Sequence, residues 1–279
     1  MKKILIIGAD SLIGKGLYNL IKNSFITYGT SRRKKTKFYN LNLEWKLKKW
    51  PQLPVCDVII CCAAMTNIIE CEEKKKLSKK VNIGGLKKII KNYKKKNTQI
   101  IFFSSTCVFS GKKPYTNKKD LRKPLNIYGE QKKACEDLVL KNNGLVIRSS
   151  KIIETSSKLF KNWAKLVKKN KKINPYIGGN SSLIKLKNIL DVVLYSINKN
   201  KKEILHVSGP DDISYLKMAK IILKKLNKTE KLIFSKPIPK KLKSNFSKFS
   251  TLKNSNEIKK ITKIIKSEKV LKNYLKEII

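Results

Sequence analysis

The chain has 279 residues, 41% of them hydrophobic, enough to fill the core of one large α/β unit or of a domain with an attached lobe. Its formal charge is +46, yet only four of the 65 basic residues are arginine, and the lysines spread over nearly every predicted helix, as compositional bias toward Lys, Asn and Ile would produce. That pattern argues against a specific nucleic-acid partner, leaving only weak adhesion to polyanions at low salt, and no apolar run approaches the ~18 residues of a membrane span.

Lys3–Ile7 is predicted as a buried first strand. Met1-Lys2-Lys3 ahead of it has only the outline of a signal peptide, because the apolar run is short and Asp10 follows without a cleavage site. A cytoplasmic protein is therefore expected. Gly8-Ala9-Asp10-Ser11-Leu12-Ile13-Gly14 then opens a helix predicted over Leu12–Lys22. A strand, a tight turn and a helix N-terminus together offer backbone N–H groups to a phosphate. The pattern is GxxSxxG, with Ser11 where glycine is usual. Gly8, Ser11, Leu12, Ile13 and Gly14 are thus candidate dinucleotide-binding residues; the plain alternative is an ordinary strand–helix turn. The second strand, Ile26–Thr30, leads into Ser31-Arg32-Arg33. An acidic residue there would bind a ribose 2′-hydroxyl and select NAD. Two arginines and no carboxylate suit a 2′-phosphate instead, so NADP is preferred over NAD. A solvated basic turn is the alternative.

Val55–Cys62 reads as a buried parallel strand, Glu70–Lys95 as helical, Gln99–Ser105 as a strand, Tyr128–Lys141 as a helix and Gly144–Ser149 as a strand. This alternation predicts a Rossmann-type, doubly wound parallel α/β sheet. Tyr128 and Lys132, four apart, share one helix face with Cβ atoms about 5–6 Å apart. An ammonium ~4 Å from a phenol is worth about 4 kcal/mol at an effective dielectric near 20, roughly three pKa units. Lys132 is therefore expected to bring Tyr128 into range for proton transfer, and with a dinucleotide turn upstream the pair points to hydride chemistry on a carbonyl. In so lysine-rich a chain the spacing alone also arises by chance.

After Ser150 the rhythm loosens. Helices are expected at Leu159–Lys169, Ile189–Asn198 and Tyr215–Leu226, strands at Ile204–Val207 and Leu232–Phe234, and a helical tail from Asn256. Residues 1–150 are assigned to the dinucleotide-binding domain and 151–279 to a smaller substrate-binding lobe, with about 185–210 returning to the first domain. The six cysteines form no CxxC pair, and several lie in apolar runs as small hydrophobes. His206, the single histidine, reads as structural, Trp45, Trp50 and Trp163 as packing residues, and Asp10, Asp120 and Asp191 are too scattered to suggest a metal.

Read in order, several segments resemble the extended short-chain dehydrogenase/reductase family, and within it the dTDP-4-dehydrorhamnose reductase (RmlD-like) branch. They are Cys61-Cys62-Ala63-Ala64-Met65-Thr66, Glu70, Val81-Asn82, Phe103 to Gly111, Pro114-Tyr115, Asp120, Pro124 to Gly129 and His206 to Pro210. The resemblance spans nearly the whole chain. It implies a reductase of a nucleotide-linked 4-keto-deoxysugar, in surface polysaccharide sugar biosynthesis. In that reading Ser105 binds the substrate carbonyl, Tyr128 delivers the proton, and Lys132 tunes Tyr128 and holds the nicotinamide ribose. Ala63 and Ala64 line the cofactor cleft, Asn42 sits near the adenine, and Thr66 and Asn82 support the site from nearby loops. Thr106 and Lys151 stand among the substrate contacts. They are also departures: the branch usually has aspartate and tyrosine where this chain has Thr106 and Cys107, and often tryptophan where it has Lys151. An NAD-dependent nucleotide-sugar epimerase and a non-catalytic dinucleotide-binding regulatory subunit are the competing expectations; the β subunit of methionine adenosyltransferase resembles the same branch. A homodimer is expected by base rate.

Overall fold

A computed structural model describes residues 1–93, 98–155 and 157–279. In chain order its elements are β1 (Lys3–Ile7), α1 (Leu12–Ile21), β2 (Ile26–Ser31), β3 (Tyr39–Asn40), β4 (Val58–Cys61), α2 (Ile68–Glu73), α3 (Lys75–Lys79), α4 (Gly85–Tyr93), β5 (Gln99–Ser105), α5 (Ile127–Lys141), β6 (Leu145–Ser149) and β7 (Lys151–Ile153). There follow α6 (Lys158–Lys168), β8 (Tyr176–Ile177), β9 (Asn180–Ser181), β10 (Leu183–Lys185), α7 (Leu186–Asn198), β11 (Ile204–Val207), β12 (Ile213–Ser214), α8 (Tyr215–Lys225), β13 (Lys236–Pro237), α9 (Asn256–Ile261) and α10 (Ser267–Ile278).

Seven strands form one parallel sheet in the order β3-β2-β1-β4-β5-β6-β11. Ile4 to Ile7, all of β4 and nearly all of β5 are buried, as strands covered on both faces by helices must be. Each fully buried Ile or Val contributes about 1.5–3 kcal/mol of transfer free energy. The register sets Ile7 beside Cys61 and Cys61 beside Phe102, so β1, β4 and β5 end side by side. Their C-terminal ends carry Gly8, Ala63 and Ser105.

Two compact units divide the chain. The first comprises Met1–Phe109, Leu121–Arg148 and Ile189–Leu205, and the second Ser110–Asp120, Ser149–Asn188 and His206–Ile279. The first is cored by Leu5, Ile7, Ile59, Phe102, Val139 and Val146 among others. In the second, Phe160, Trp163, Leu183, Met218, Ile222 and Tyr274 pack together.

Three predicted elements differ. The strand expected over Val55–Cys62 begins only at Val58, and Val55 is exposed, because Pro54 and the loop after it lie outside the ladder. The helix expected over Glu70–Lys95 is broken into α2, α3, a π-helical turn at Lys80–Gly84, and α4; Lys94 and Lys95 lie outside the described residues. Asn82 is the local reason: its side chain accepts from Met65 N (2.8 Å) and donates to Met65 O (3.0 Å) and Gln131 Oε1 (2.7 Å), pulling the turn out of α register. The strand expected at Leu232–Phe234 is a 3₁₀ turn at Glu230–Leu232 followed by a single bridge, Ile173 to Ile233. Among the described residues, no helix is long and apolar enough to cross a membrane.

Candidate active site

The turn after β1 is built for close backbone approach. Gly8 has φ +84°, and a Cβ there would stand 2.8 Å from Ala63 Cβ. A Cβ on Gly14 would stand 2.1 Å from the carbonyl oxygen of Gly8. Ser11 is the N-cap of α1: its Oγ accepts from Gly14 N at 3.1 Å, which explains why serine serves where glycine is usual. The first-turn amides of Leu12 and Ile13 have no acceptor within the helix and are directed toward its N-terminal end. Thr30 steadies the turn from β2, its Oγ1 accepting from Gly8 N (3.1 Å) and its carbonyl from Ala9 N (2.8 Å). Ala63 N donates to Ile7 O, packing the loop after β4 against the glycine turn. A bare turn at a helix N-terminus, walled by alanine, fits the pyrophosphate of a dinucleotide.

At the end of β2, Arg32 and Arg33 are exposed. Asp10 reaches the same tip: its Oδ2 accepts from Ser31 Oγ (2.9 Å) and lies 3.4 Å from Arg33 Nε. Asn42 is half-buried, and its Oδ1 accepts from Glu44 N to close a local turn. Thr66 is exposed on the loop before α2.

Across β4 from the strand that carries the glycine turn, β5 delivers Ser105, whose Oγ accepts from Cys107 N at 3.2 Å and caps the 3₁₀ turn Thr106–Val108. Asn126 caps α5 by accepting from Gly129 N at 2.8 Å. Gly129 lets the helix press on that 3₁₀ turn, since a Cβ there would lie 2.2 Å from Cys107 O. Tyr128 is thereby buried, with Ser105 close enough to act on its hydroxyl. One helical turn on, Lys132 is also buried; its Nζ donates to the carbonyl of Phe103 at 2.7 Å and lies 4.5 Å from the Phe102 ring centroid and 5.6 Å from that of Tyr128. A small cavity lined by Cys61, Ala63, Ala64, Phe102, Lys132 and Cys135 joins the alanine loop to the lysine.

Burial dominates the electrostatics. It pushes the Tyr128 phenol well above the usual tyrosine range, and the Cys107 and Cys71 thiols push the same way; the nearby Ser105 hydroxyl acts in the opposite sense. The expected lowering of Tyr128 by Lys132 is therefore overturned in this state, because the ammonium is bonded to a main-chain carbonyl and desolvation outweighs it. Lys132 itself is lowered by burial, against the pull of Cys135, Cys61 and Glu136. Burial raises the Cys61 thiol to about 12 and that of Cys135 to about 11, so both stay protonated at neutral pH. No cluster of three or more His, Cys, Asp or Glu among the described residues could hold a metal ion.

Gly8, Ser11, Leu12, Ile13, Gly14, Arg32, Arg33, Asn42, Ala63, Ala64, Ser105, Thr106, Tyr128 and Lys132 all lie in the first unit; among them Gly8 packs on Ala63, and Ala63, Ala64 and Lys132 line one cavity. Lys151 belongs to the second unit, on β7, where Nζ donates to Tyr215 Oη at 3.3 Å and faces the Tyr215 and Phe160 rings. The sequence does not single out Thr30, the Phe103 carbonyl or the place of Asp10 at the β2 tip. A small buried hydroxyl ending a strand is a usable signal for Thr30. A main-chain carbonyl gives none.

The RmlD substrate binding domain model matches residues 1–278. Methionine adenosyltransferase 2 subunit beta of Mus musculus is 30% identical over 146 residues, which cover 51% of this chain and 44% of that relative, so less than half of the relative's length is matched. A hypothetical dTDP-4-dehydrorhamnose reductase from Sulfolobus tokodaii is 26% identical, with a TM-score of 0.79 over 94% of this chain and 95% of that one. The dTDP-4-dehydrorhamnose reductase of Bacillus anthracis, in complex with NADP, has the same fold at 19% identity, with a TM-score of 0.82 over 99% of both chains.

Proposed function

This chain belongs to the RmlD substrate binding domain family, and from that premise we propose that it is an NAD(P)H-dependent reductase of a nucleotide-linked 4-keto-deoxysugar. The observation that carries the reading is the buried Tyr128 close to Ser105, with Lys132 one turn on and lining one cavity with Ala63, the residue on which the Gly8 turn packs. A reduced nicotinamide dinucleotide, when bound, supplies the hydride to the carbonyl carbon. Ser105 holds and polarises the carbonyl oxygen. Tyr128, protonated at neutral pH, passes its phenolic proton to that oxygen. The Lys132 ammonium, beside the ring, stabilises the phenolate left behind and holds the nicotinamide ribose. Gly8, Ser11, Leu12, Ile13, Gly14, Ala63 and Ala64 cradle the pyrophosphate side, and Asn42 serves the adenine. Arg32 and Arg33 favour NADP, with NAD as the second cofactor. Thr106 contacts the sugar. The second unit acts as the substrate-binding lobe, with Lys151 for the nucleotide diphosphate. We place this chemistry in the cytoplasm, where such cofactors and nucleotide sugars are made, and in a homodimer, the commonest oligomer.

The test is absorbance-monitored NADPH oxidation with a panel of dTDP-, UDP-, GDP- and CDP-linked 4-keto sugars. Turnover that falls about 10²–10⁴-fold in Tyr128→Phe supports the assignment. Full activity in that variant rejects Tyr128 as the acid.

The identity with methionine adenosyltransferase 2 subunit beta favours a second reading, a dinucleotide-binding subunit that serves a partner enzyme. The buried Tyr128 phenol, with Ser105 close by, weighs against it, since cofactor binding alone needs no proton donor. Stoichiometric capture of an enzyme partner, with no keto sugar turned over, would decide for it.

A further inference from the structure

We infer that Asp10 sets how strongly this chain discriminates a 2′-phosphorylated dinucleotide from one with a free 2′-hydroxyl; the inference rests on the dinucleotide-binding reading above and names the residue that tunes it. By sequence the tip of β2 has two arginines and no carboxylate. The fold brings one there from the glycine turn. Asp10 Oδ2 accepts from Ser31 Oγ at 2.9 Å and lies 3.4 Å from Arg33 Nε. Ser31 is only 1% exposed, and its Oγ also accepts from Arg33 N at 3.0 Å, so its one hydroxyl hydrogen is committed to Asp10. Asn40 braces the other side, its Nδ2 donating to the carbonyls of Ser31 (3.4 Å) and Arg33 (3.3 Å). The carboxylate is therefore held at the strand tip by a buried hydroxyl.

The end of the second strand is where a ribose 2′ group is read in this fold. A carboxylate there accepts from a 2′-hydroxyl and repels a 2′-phosphate, whereas a guanidinium does the reverse. Here both are present, and the carboxylate pairs with one of the two guanidinium groups. A 2′-phosphate meets a cluster of net charge +1 rather than +2, and must draw Arg33 away from Asp10 to be gripped by both arginines. Asp10 is one-quarter exposed and Arg33 three-quarters, so their pair is solvent-weakened and exchangeable. The arginines favour the phosphate; Asp10 limits by how much.

The experiment is calorimetric titration of the full-length chain with 2′,5′-ADP and with 5′-AMP, ligands that differ only in the 2′-phosphate. Asp10→Asn keeps an acceptor for Ser31 and removes the charge. It is expected to raise the affinity ratio of 2′,5′-ADP over 5′-AMP roughly tenfold. Arg33→Gln, at an exposed position, should lower that ratio, and in its background the gain from Asp10→Asn should shrink. An unchanged ratio in Asp10→Asn, or an equal loss of both ligands, overturns the role of Asp10 while leaving the dinucleotide site intact. Failure of the wild-type chain to bind either ligand overturns the dinucleotide reading, and the inference with it.

Discussion

Arg148 grips Glu136 through two hydrogen bonds, Nε to Oε1 at 2.8 Å and Nη2 to Oε2 at 2.7 Å, and neither side chain is more than 1% exposed. Arg122 adds a third, Nη1 to Oε2 at 3.0 Å, and holds Asp137 with its other terminal nitrogen. Half of the arginines in a chain dominated by lysine converge on one glutamate, two turns along α5 from Tyr128. A lysine cannot reproduce the planar fork. Removing one member strands a buried charge, so Arg148→Ala should cost about 3–5 kcal/mol in urea unfolding, and Arg122→Ala, at a partly solvated position, clearly less. The double replacement Glu136→Leu with Arg148→Met should recover most of the loss. A single-variant cost below about 1 kcal/mol for Arg148→Ala would show that solvent reaches the pair.

The parallel sheet was legible because β1, β4 and β5 hold the uninterrupted apolar runs Ile4–Ile7, Val58–Cys61 and Ile100–Phe103, a pattern few alternatives satisfy. The shared helical face of Tyr128 and Lys132 was legible for a similar reason, since a four-residue spacing fixes it. What escaped depends on distant partners. The π-helical turn at Lys80–Gly84 follows from bonds between Asn82 and Met65, seventeen residues away in sequence. The behaviour of Tyr128 escaped because a pairwise Coulomb estimate ignores desolvation, which is the larger effect in this pocket. In sequence Asp10 is one of three scattered acids, because nothing local links it to Ser31, twenty-one residues on.

Glycine substitutions separate close approach from mere flexibility. At Gly14 a Cβ would stand 2.1 Å from Gly8 O, a main-chain atom that already accepts from Ser11 N. Gly14→Ala should therefore distort the turn, lower Tm and weaken dinucleotide binding together. At Gly84 the nearest atom is 3.9 Å away, and Gly84→Ala should be neutral or stabilise by about 0.4–1 kcal/mol through the unfolded chain. Equal effects at the two positions, in melting and titration, would contradict the packing described for the turn.

Tyr128 has its proton affinity raised by burial, so the folded state holds the phenolic proton more tightly than the unfolded chain does. The stability from that difference is fully present below the ordinary tyrosine value of ~10 and is lost as pH climbs beyond it. Above pH ~10 the wild-type Tm should therefore fall faster than that of Tyr128→Phe. In the cofactor-free protein, the ultraviolet difference spectrum between the two should show no phenolate below pH ~10. A phenolate signal near neutrality would restore Lys132 as the dominant influence on the ring.

Lys132 separates stability from function. Burial lowers its proton affinity, so the unfolded chain binds the proton more readily than the folded one. The folded state carries that penalty in full at pH values below the shifted titration, and it fades as pH rises toward the ordinary lysine value of ~10.4. Lys132→Met removes the charge and keeps the length. It also removes the donor to Phe103 O, an opposing loss that does not vary with pH while the lysine stays protonated. The variant should melt no lower than wild type at pH 6, and its advantage should shrink steadily as pH approaches 10. Keto-sugar turnover should nevertheless fall by at least about 10²-fold, because no cation remains beside the phenolate. A melting advantage that grows with pH would mean that Lys132 is stabilised as a cation, and that its hydrogen bond to Phe103 outweighs the desolvation argued for this pocket.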